Sequence, residues 1–426
     1  MPAPPTQRPP DVTIDDLAEP RFPPEVEALR ESVVPLAEGI ELTSDALLAA
    51  ASAQTGLDDF GDDWFREPLE VFLAALRDEA DLSAFGRVAA NGLVHQLLVN
   101  RLLVEDLLRR HPEIHDVEIE RPIVVAGLPR TGTTHLHNLM ASDGALRSLP
   151  YWEAIQPVLA PDEEPGPGEP DPRLARTDAA LRTVNEAMPY FKRMHEMTTD
   201  HAHEEIQLLA IDFSSMLFET TAMIPSWRDW WRANDQTPAY LYLKTILKVL
   251  QWSRGGTRWV LKSPQHLEQF GPLMAAFPDA TVAVTHRDPV AVTASVTTML
   301  AYTARNHTDR VDLAELGRYW SDRIEDLLAA CVRDRELLPA DQSIDVRFHE
   351  FMADDVAMVE RIYDVADQPF TDDARSSIAA FMDDHPRGRH GRVRYDLAQF
   401  GLDRDERRQA LRFYAERFGT EDEQPG

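Results

Sequence analysis

Two kinds of hydrophobic spacing divide the chain, and the change between them falls near Pro122. Before that point Leu98, Leu102, Leu103, Leu107 and Leu108 recur at helical spacing, which predicts an amphipathic helix. His111-Pro112 ends it, because proline disfavours helical backbone at the residue before it. Beyond it come short β-branched runs: Pro122–Ala126, Trp259–Leu261, Ala280–Thr285 and Ile344–Phe348. Runs this apolar predict strands covered on both faces. Helical stretches separate them, one carrying Ile206, Leu209, Phe213 and Leu217 on a single face. Strands alternating with helices predict an α/β fold, a parallel sheet flanked by helices.

This pattern divides the chain into three parts. Residues 1–24 are proline-rich with little periodicity and are expected to form a flexible tail. Residues 25–115 form an N-terminal helical region, and residues 116–426 form the α/β domain. A helical insertion at about 151–254 is expected to cap a substrate pocket; its Trp227, Trp230 and Trp231 suit an apolar or sugar acceptor, and core packing explains them equally well. The segment from Pro161 to Gly168 reads as an exposed loop.

Composition narrows the function. A formal net charge of −30 excludes a nucleic-acid partner, which needs a broad basic face. No apolar run reaches the ~18 residues of a membrane span. The N-terminus lacks the pattern of a secretory signal, and the single cysteine, Cys331, suits a reducing compartment; a cytoplasmic protein is expected. Only four of the 43 basic residues are lysines: Lys192, Lys244, Lys248 and Lys262.

The first strand runs directly into Gly127-Leu128-Pro129-Arg130-Thr131-Gly132-Thr133-Thr134, and a helix with Leu136, Leu139 and Met140 on one face follows. Strand, glycine-bounded loop and helix N-terminus together make an anion cradle of backbone N–H groups. A nucleoside-triphosphatase loop carries lysine before its Ser/Thr. Here Thr133 takes that place and the positive charge moves to Arg130, which weakens the case for γ-phosphoryl chemistry.

Pro129-Arg130-Thr131-Gly132-Thr133-Thr134 resembles the 5′-phosphosulfate loop of the sulfotransferases that use 3′-phosphoadenosine-5′-phosphosulfate (PAPS), Pro-Lys/Arg-Ser/Thr-Gly-Thr-Thr. A second motif strengthens the resemblance. His286-Arg287-Asp288-Pro289 closes the third strand, and Ser295 follows Arg287 by eight residues, similar to the family's arginine and serine for the 3′-phosphate. A planar guanidinium suits that role because it grips phosphate with two parallel hydrogen bonds. Arg387-Gly388, within Pro386-Arg387-Gly388-Arg389-His390-Gly391-Arg392, resembles the C-terminal segment that closes over the same phosphate. The similarity spans about residues 40–418 and points to a bacterial branch of this P-loop superfamily.

The resemblance implies in-line sulfuryl transfer from PAPS, without a metal, to a hydroxyl or amine of a small-molecule, lipid or carbohydrate acceptor. Lys262, after the second strand, is placed to neutralise the leaving phosphate oxygen, as a family lysine does. Two residues compete for the base. Glu153 in Pro150-Tyr151-Trp152-Glu153 stands near where carbohydrate and protein-tyrosine sulfotransferases keep a catalytic glutamate. His266 follows Lys262 by four residues, where small-molecule sulfotransferases place a histidine two after their lysine. His201-Ala202-His203-Glu204-Glu205 lacks the His-Glu-x-x-His spacing of zinc enzymes and is read as a helix N-terminus or a polar pocket wall. A P-loop kinase or triphosphatase, and a donor-binding protein without catalysis, are the alternative functions.

Overall fold

The computed structural model describes residues 9–423 apart from 164 and 167. Four strands form one parallel sheet: β1 (Ile123–Ala126), β2 (Val260–Ser263), β3 (Thr281–His286) and β4 (Ser343–Arg347). They lie in the order β2-β1-β3-β4, with Ile123 level with both Val260 and Thr281. Each predicted run is therefore a strand, displaced by at most a couple of residues. The second strand runs on through Lys262, so the lysine is held by the sheet itself.

The apolar runs need cover on both faces, and five helices supply much of it. These are α1 (Ala84–Arg110), α2 (Thr133–Ala141), α3 (Thr237–Arg254), α4 (Pro289–Ala304) and α5 (Asp355–Ala366). Alternate side chains of β1 point to opposite layers. Ile123 and Val125 join Leu136, Leu139 and Met140 of α2 and Met358, Val359 and Ile362 of α5. Val124 and Ala126 join the larger core, which takes in Leu98 and Leu102 of α1, Leu243 and Ile246 of α3, and Val290 and Val296 of α4. Burying each of these Val, Leu or Ile side chains contributes roughly 1.5–3 kcal/mol.

That larger core extends from Ile14 to Phe418, so the N-terminal helices share it with the sheet and do not close a core of their own. The described part of the expected flexible tail is likewise packed. Ile14 and Leu17 are buried, Val12 pairs with Val393, and Asp16 pairs with Arg305 at 3.0 Å. A proline-rich composition hid these few apolar anchors; residues 1–8 lie outside the described residues.

Two further expectations change. The face through Ile206, Leu209, Phe213 and Leu217 is not one helix, because Phe213 takes a left-handed backbone (φ 54°) between Ile206–Leu209 and Leu217–Thr221. Trp227 and Trp231 stack at 5.9 Å inside the core, so they serve packing rather than a pocket. In the expected loop at 161–168, Pro161–Glu163 forms one 3₁₀ turn, while residues 164 and 167 lie outside the described residues.

Candidate active site

The strand order reverses direction between β1 and β3, where open parallel sheets bind ligands beyond the carboxyl ends of their strands. Both anion motifs leave the sheet there, the glycine loop from β1 and Arg287 from β3. A cavity of about 650 Å³ opens above them, bounded by Arg130, Gly132, Thr133, Thr134, Arg287 and the loop from His385 to Gly391.

Local backbone explains the glycines. A Cβ on Gly127 would stand 1.9 Å from Thr285 Oγ1 of β3, so only glycine fits where the loop leaves the sheet. Gly132 has φ 90°, and Arg130 has φ 74°, an unusual conformation for a residue with a side chain. Arg130 is held there by its contacts: Nε donates to Ser295 Oγ at 3.0 Å, one Nη donates to the Met194 carbonyl and the other to Tyr395 at 3.3 Å. Backbone strain of this kind concentrates at functional sites. Thr133 and Thr134 open α2, whose first N–H groups lack helical partners and so favour an anion. Thr131 turns the other way. Its hydroxyl bonds the Leu128 carbonyl (2.7 Å) and Thr285 (2.6 Å), so it shapes the loop from within.

Arg287 donates Nη1 to the Arg130 carbonyl at 2.6 Å and lies 4.1 Å over the Phe348 ring. Its other two donors grip the Glu423 carboxylate at 2.6 and 2.7 Å, a two-pronged geometry equally suited to phosphate. Glu423 is itself fixed, since its N–H donates to Asp288 at 2.7 Å and its carbonyl accepts from Arg404. Asp288 pairs with Arg408, not with its neighbour Arg287, and caps α4 through the Val290 N–H. Arg130, Arg287 and Ser295 thus form one cluster beside the glycine loop. Across the cavity, Arg387 is half-exposed and paired with Asp355, Gly388 sits at φ 74°, and Arg389 and His390 both pair with Glu196, at 2.6 and 2.9 Å.

Lys262 reaches the same place from β2. Its Nζ lies 3.4 Å from Thr134 Oγ1 and contacts Glu204, while its backbone N–H donates to Glu205 at 2.8 Å. Burial alone would raise the Glu205 pKa, but bonds from His266 and the Lys262 N–H hold it below the usual range.

Neither residue expected as the base reaches the cavity. Glu153 is fully buried between Arg147 (3.0 Å) and Arg254 (3.0 Å). His266 is also fully buried, with Nε2 on Glu205 at 2.6 Å and Nδ1 on the Tyr240 hydroxyl at 2.8 Å. Glu153 follows the phosphate-loop helix by a short connection and His266 follows Lys262 by four residues, yet each side chain ends in an internal ion pair and neither lines the cavity. The cavity is lined on this side by His195 and His201, with the buried His203 beside them. Nitrogen atoms of the three rings lie within 4.8 Å of one another. His201 Nε2 and His203 Nδ1 are 2.9 Å apart, and Tyr151 packs on both rings. Burial, followed by nearby Lys262 or neighbouring histidines, lowers all three pKa values. The histidine pair at 201 and 203 was visible in the sequence; His195 carried no signal there.

A parallel sheet with an anion loop at its switch point, two arginines and a sheet-held lysine defines a P-loop-type transferase. The Sulfotransferase family model matches residues 122–372, and the chain belongs to that family. Sulfotransferase STF1 from Mycobacterium tuberculosis is 32% identical over 88% of this chain and 98% of its own, with a TM-score of 0.76. Sulfotransferase STF9 from Mycobacterium avium is 26% identical over 90% of this chain and 98% of its own, with a TM-score of 0.80. No curated protein sequence is significantly similar to the chain. The chain is a sulfotransferase, and among its described residues no helix is long and apolar enough to cross a membrane.

Proposed function

We propose that the sulfuryl donor is PAPS and that the acceptor is a hydroxyl or amine on a small-molecule, lipid or carbohydrate substrate, sulfated in the cytoplasm. One observation carries the reading: Arg287, bonded to the Arg130 carbonyl at 2.6 Å, presents a carboxylate-gripping fork to the cavity that holds the glycine loop. Two anion sites on one cavity suit a nucleotide with phosphate at both ends, and a triphosphate would leave the second unused.

In this reading the 5′-phosphosulfate lies on the loop from Arg130 to Thr134 and the start of α2. The 3′-phosphate takes the Arg287 fork, with Ser295 reached through Arg130 and the Arg387-Gly388 loop above. Lys262, beside Thr134, meets the charge that develops on the leaving phosphate. Preorganised donors of this kind act where charge appears, so no metal is required by the step. The part of the lining that includes Lys192, Thr198 and His201 is left for the acceptor.

The test is transfer of label from ³⁵S-PAPS to a panel of phenols, sugars, glycolipids and sterols, paired with calorimetric titration of the desulfated product. Binding of that product together with label transfer supports the reading. Magnesium-dependent ATP turnover without label transfer overturns it in favour of a kinase or triphosphatase, and product binding without any transfer leaves a donor-binding protein.

A further inference from the structure

We infer that His195 is the general base that takes the acceptor's proton, with His201 and His203 completing the wall that positions the acceptor. This inference rests on the proposed donor site and supplies the catalytic group that Glu153 and His266, locked in internal pairs, do not.

The geometry carries it. His195 lines the cavity that also holds Thr134 and Arg130, and no described residue hydrogen-bonds either of its ring nitrogens. Its ring is held only by packing, against Phe191 at 5.9 Å and His201 at 6.3 Å. An imidazole nitrogen free of protein partners within a reaction cavity is available to a substrate hydroxyl. His201 is committed differently, since its nitrogens engage Thr198 and His203. The Glu204 carboxylate is engaged by Lys262.

The protonation state agrees with the geometry. Burial, then the charge of Lys262, then His201 and Arg130, hold the His195 pKa well below its ordinary 6.5. The other ionisable groups lining the cavity are Arg130, His135, Lys192, Arg193, Glu196, Asp200, His201, Arg287, His385, Arg387, Arg389 and His390. Glu196, the acid beside it in sequence, is already paired with Arg389 and His390. His195 is therefore neutral at pH 7 and able to accept a proton. In the step, the acceptor oxygen bonds to sulfur as its proton passes to His195. The bond from sulfur to the bridging oxygen breaks, and its electron pair leaves with the 5′-phosphate beside Lys262.

The experiment compares wild type, His195→Ala and His195→Gln in label transfer, using whichever panel acceptor turns over and otherwise water, the donor's slow hydrolysis. The expected result is a fall in kcat of about 10²–10³-fold for both variants. Titrated affinity for the desulfated product and the melting temperature stay at wild-type values. Added imidazole restores part of the His195→Ala rate, and the loss is smallest with the most acidic phenols, which need least help to lose a proton. The acid limb of the wild-type kcat/KM profile lies below pH 6.5 and disappears in His195→Ala. A kcat within about threefold of wild type, or a loss matched by weaker product binding, overturns the assignment. So does a stoichiometric zinc ion in the purified protein that His195→Ala removes, which would make the three histidines ligands. Wild type that neither transfers label to any acceptor or to water nor binds the desulfated product defeats the donor reading itself, and binding without transfer defeats the catalytic assignment; both differ from an unaffected variant.

Discussion

Glu153 shows how far a residue's chemistry depends on its partners. Its carboxylate has no exposure and two guanidiniums within 3.0 Å, so its work is to hold Arg147 and Arg254 together. Arg147 in turn lies 4.3 Å over Trp259, at the entry to β2. Removing one member of a buried pair leaves the other uncompensated, at a cost of about 3–5 kcal/mol. Glu153→Ala is therefore expected to lower the melting temperature by several degrees, while folded protein binds the desulfated donor product as wild type does. Thermal melts with and without product separate the two effects; unchanged stability with abolished turnover would return Glu153 to catalysis.

At the scale of elements, the phosphate loop could be read because its physics is local. A β-branched strand, glycines at 127 and 132 and a threonine-headed helix are each set by neighbouring residues. The strand contact that dictates Gly127 is long-range, yet it leaves a sharp consequence. Gly127→Ala forces a methyl against Thr285, which also bonds Thr131, so strand and loop must shift together. The expected cost is about 1–3 kcal/mol, with at least tenfold weaker binding of the desulfated product by calorimetry. Wild-type binding by this variant would show that the loop does not form the donor site. The site residues that could not be read are those whose roles come from packing. His266 met Glu205 and Tyr240 across the core, and the histidine wall drew His195 from a segment with no pattern of its own. The predicted helix through Phe213 failed for a related reason, because its apolar spacing was satisfied by two short helices meeting at a left-handed residue.

The whole molecule stores several uncharged histidines. Burial pushes His137 and His307 down to about 4. In the unfolded chain they titrate near 6.5, so between pH 6.5 and 4 the unfolded state binds more protons and stability falls as pH falls. Asp212 acts in the opposite sense, since burial lifts it to about 6 despite its pairing with Arg101. Two histidines outweigh one carboxyl, so the melting temperature is expected to decline steadily below pH 6.5. A flat melting profile from pH 7.5 to 5 would contradict this. The described C-terminal end adds a further property through Glu423, whose carboxylate fills the fork of Arg287. A tethered anion competes at an effective concentration set by its tether, on the order of millimolar for a short flexible one, and the apparent affinity of a ligand for that fork is reduced accordingly. Glu423→Gln is expected to tighten binding of the desulfated product by about three- to tenfold, read by calorimetry, and unchanged affinity would refute the competition. The same tether works as a selectivity threshold. In the proposed reading, free sulfate, inorganic phosphate and nucleotides without a 3′-phosphate are expected to compete poorly with Glu423 for the arginine, and a ligand that engages both ends of the cavity at once is expected to displace it.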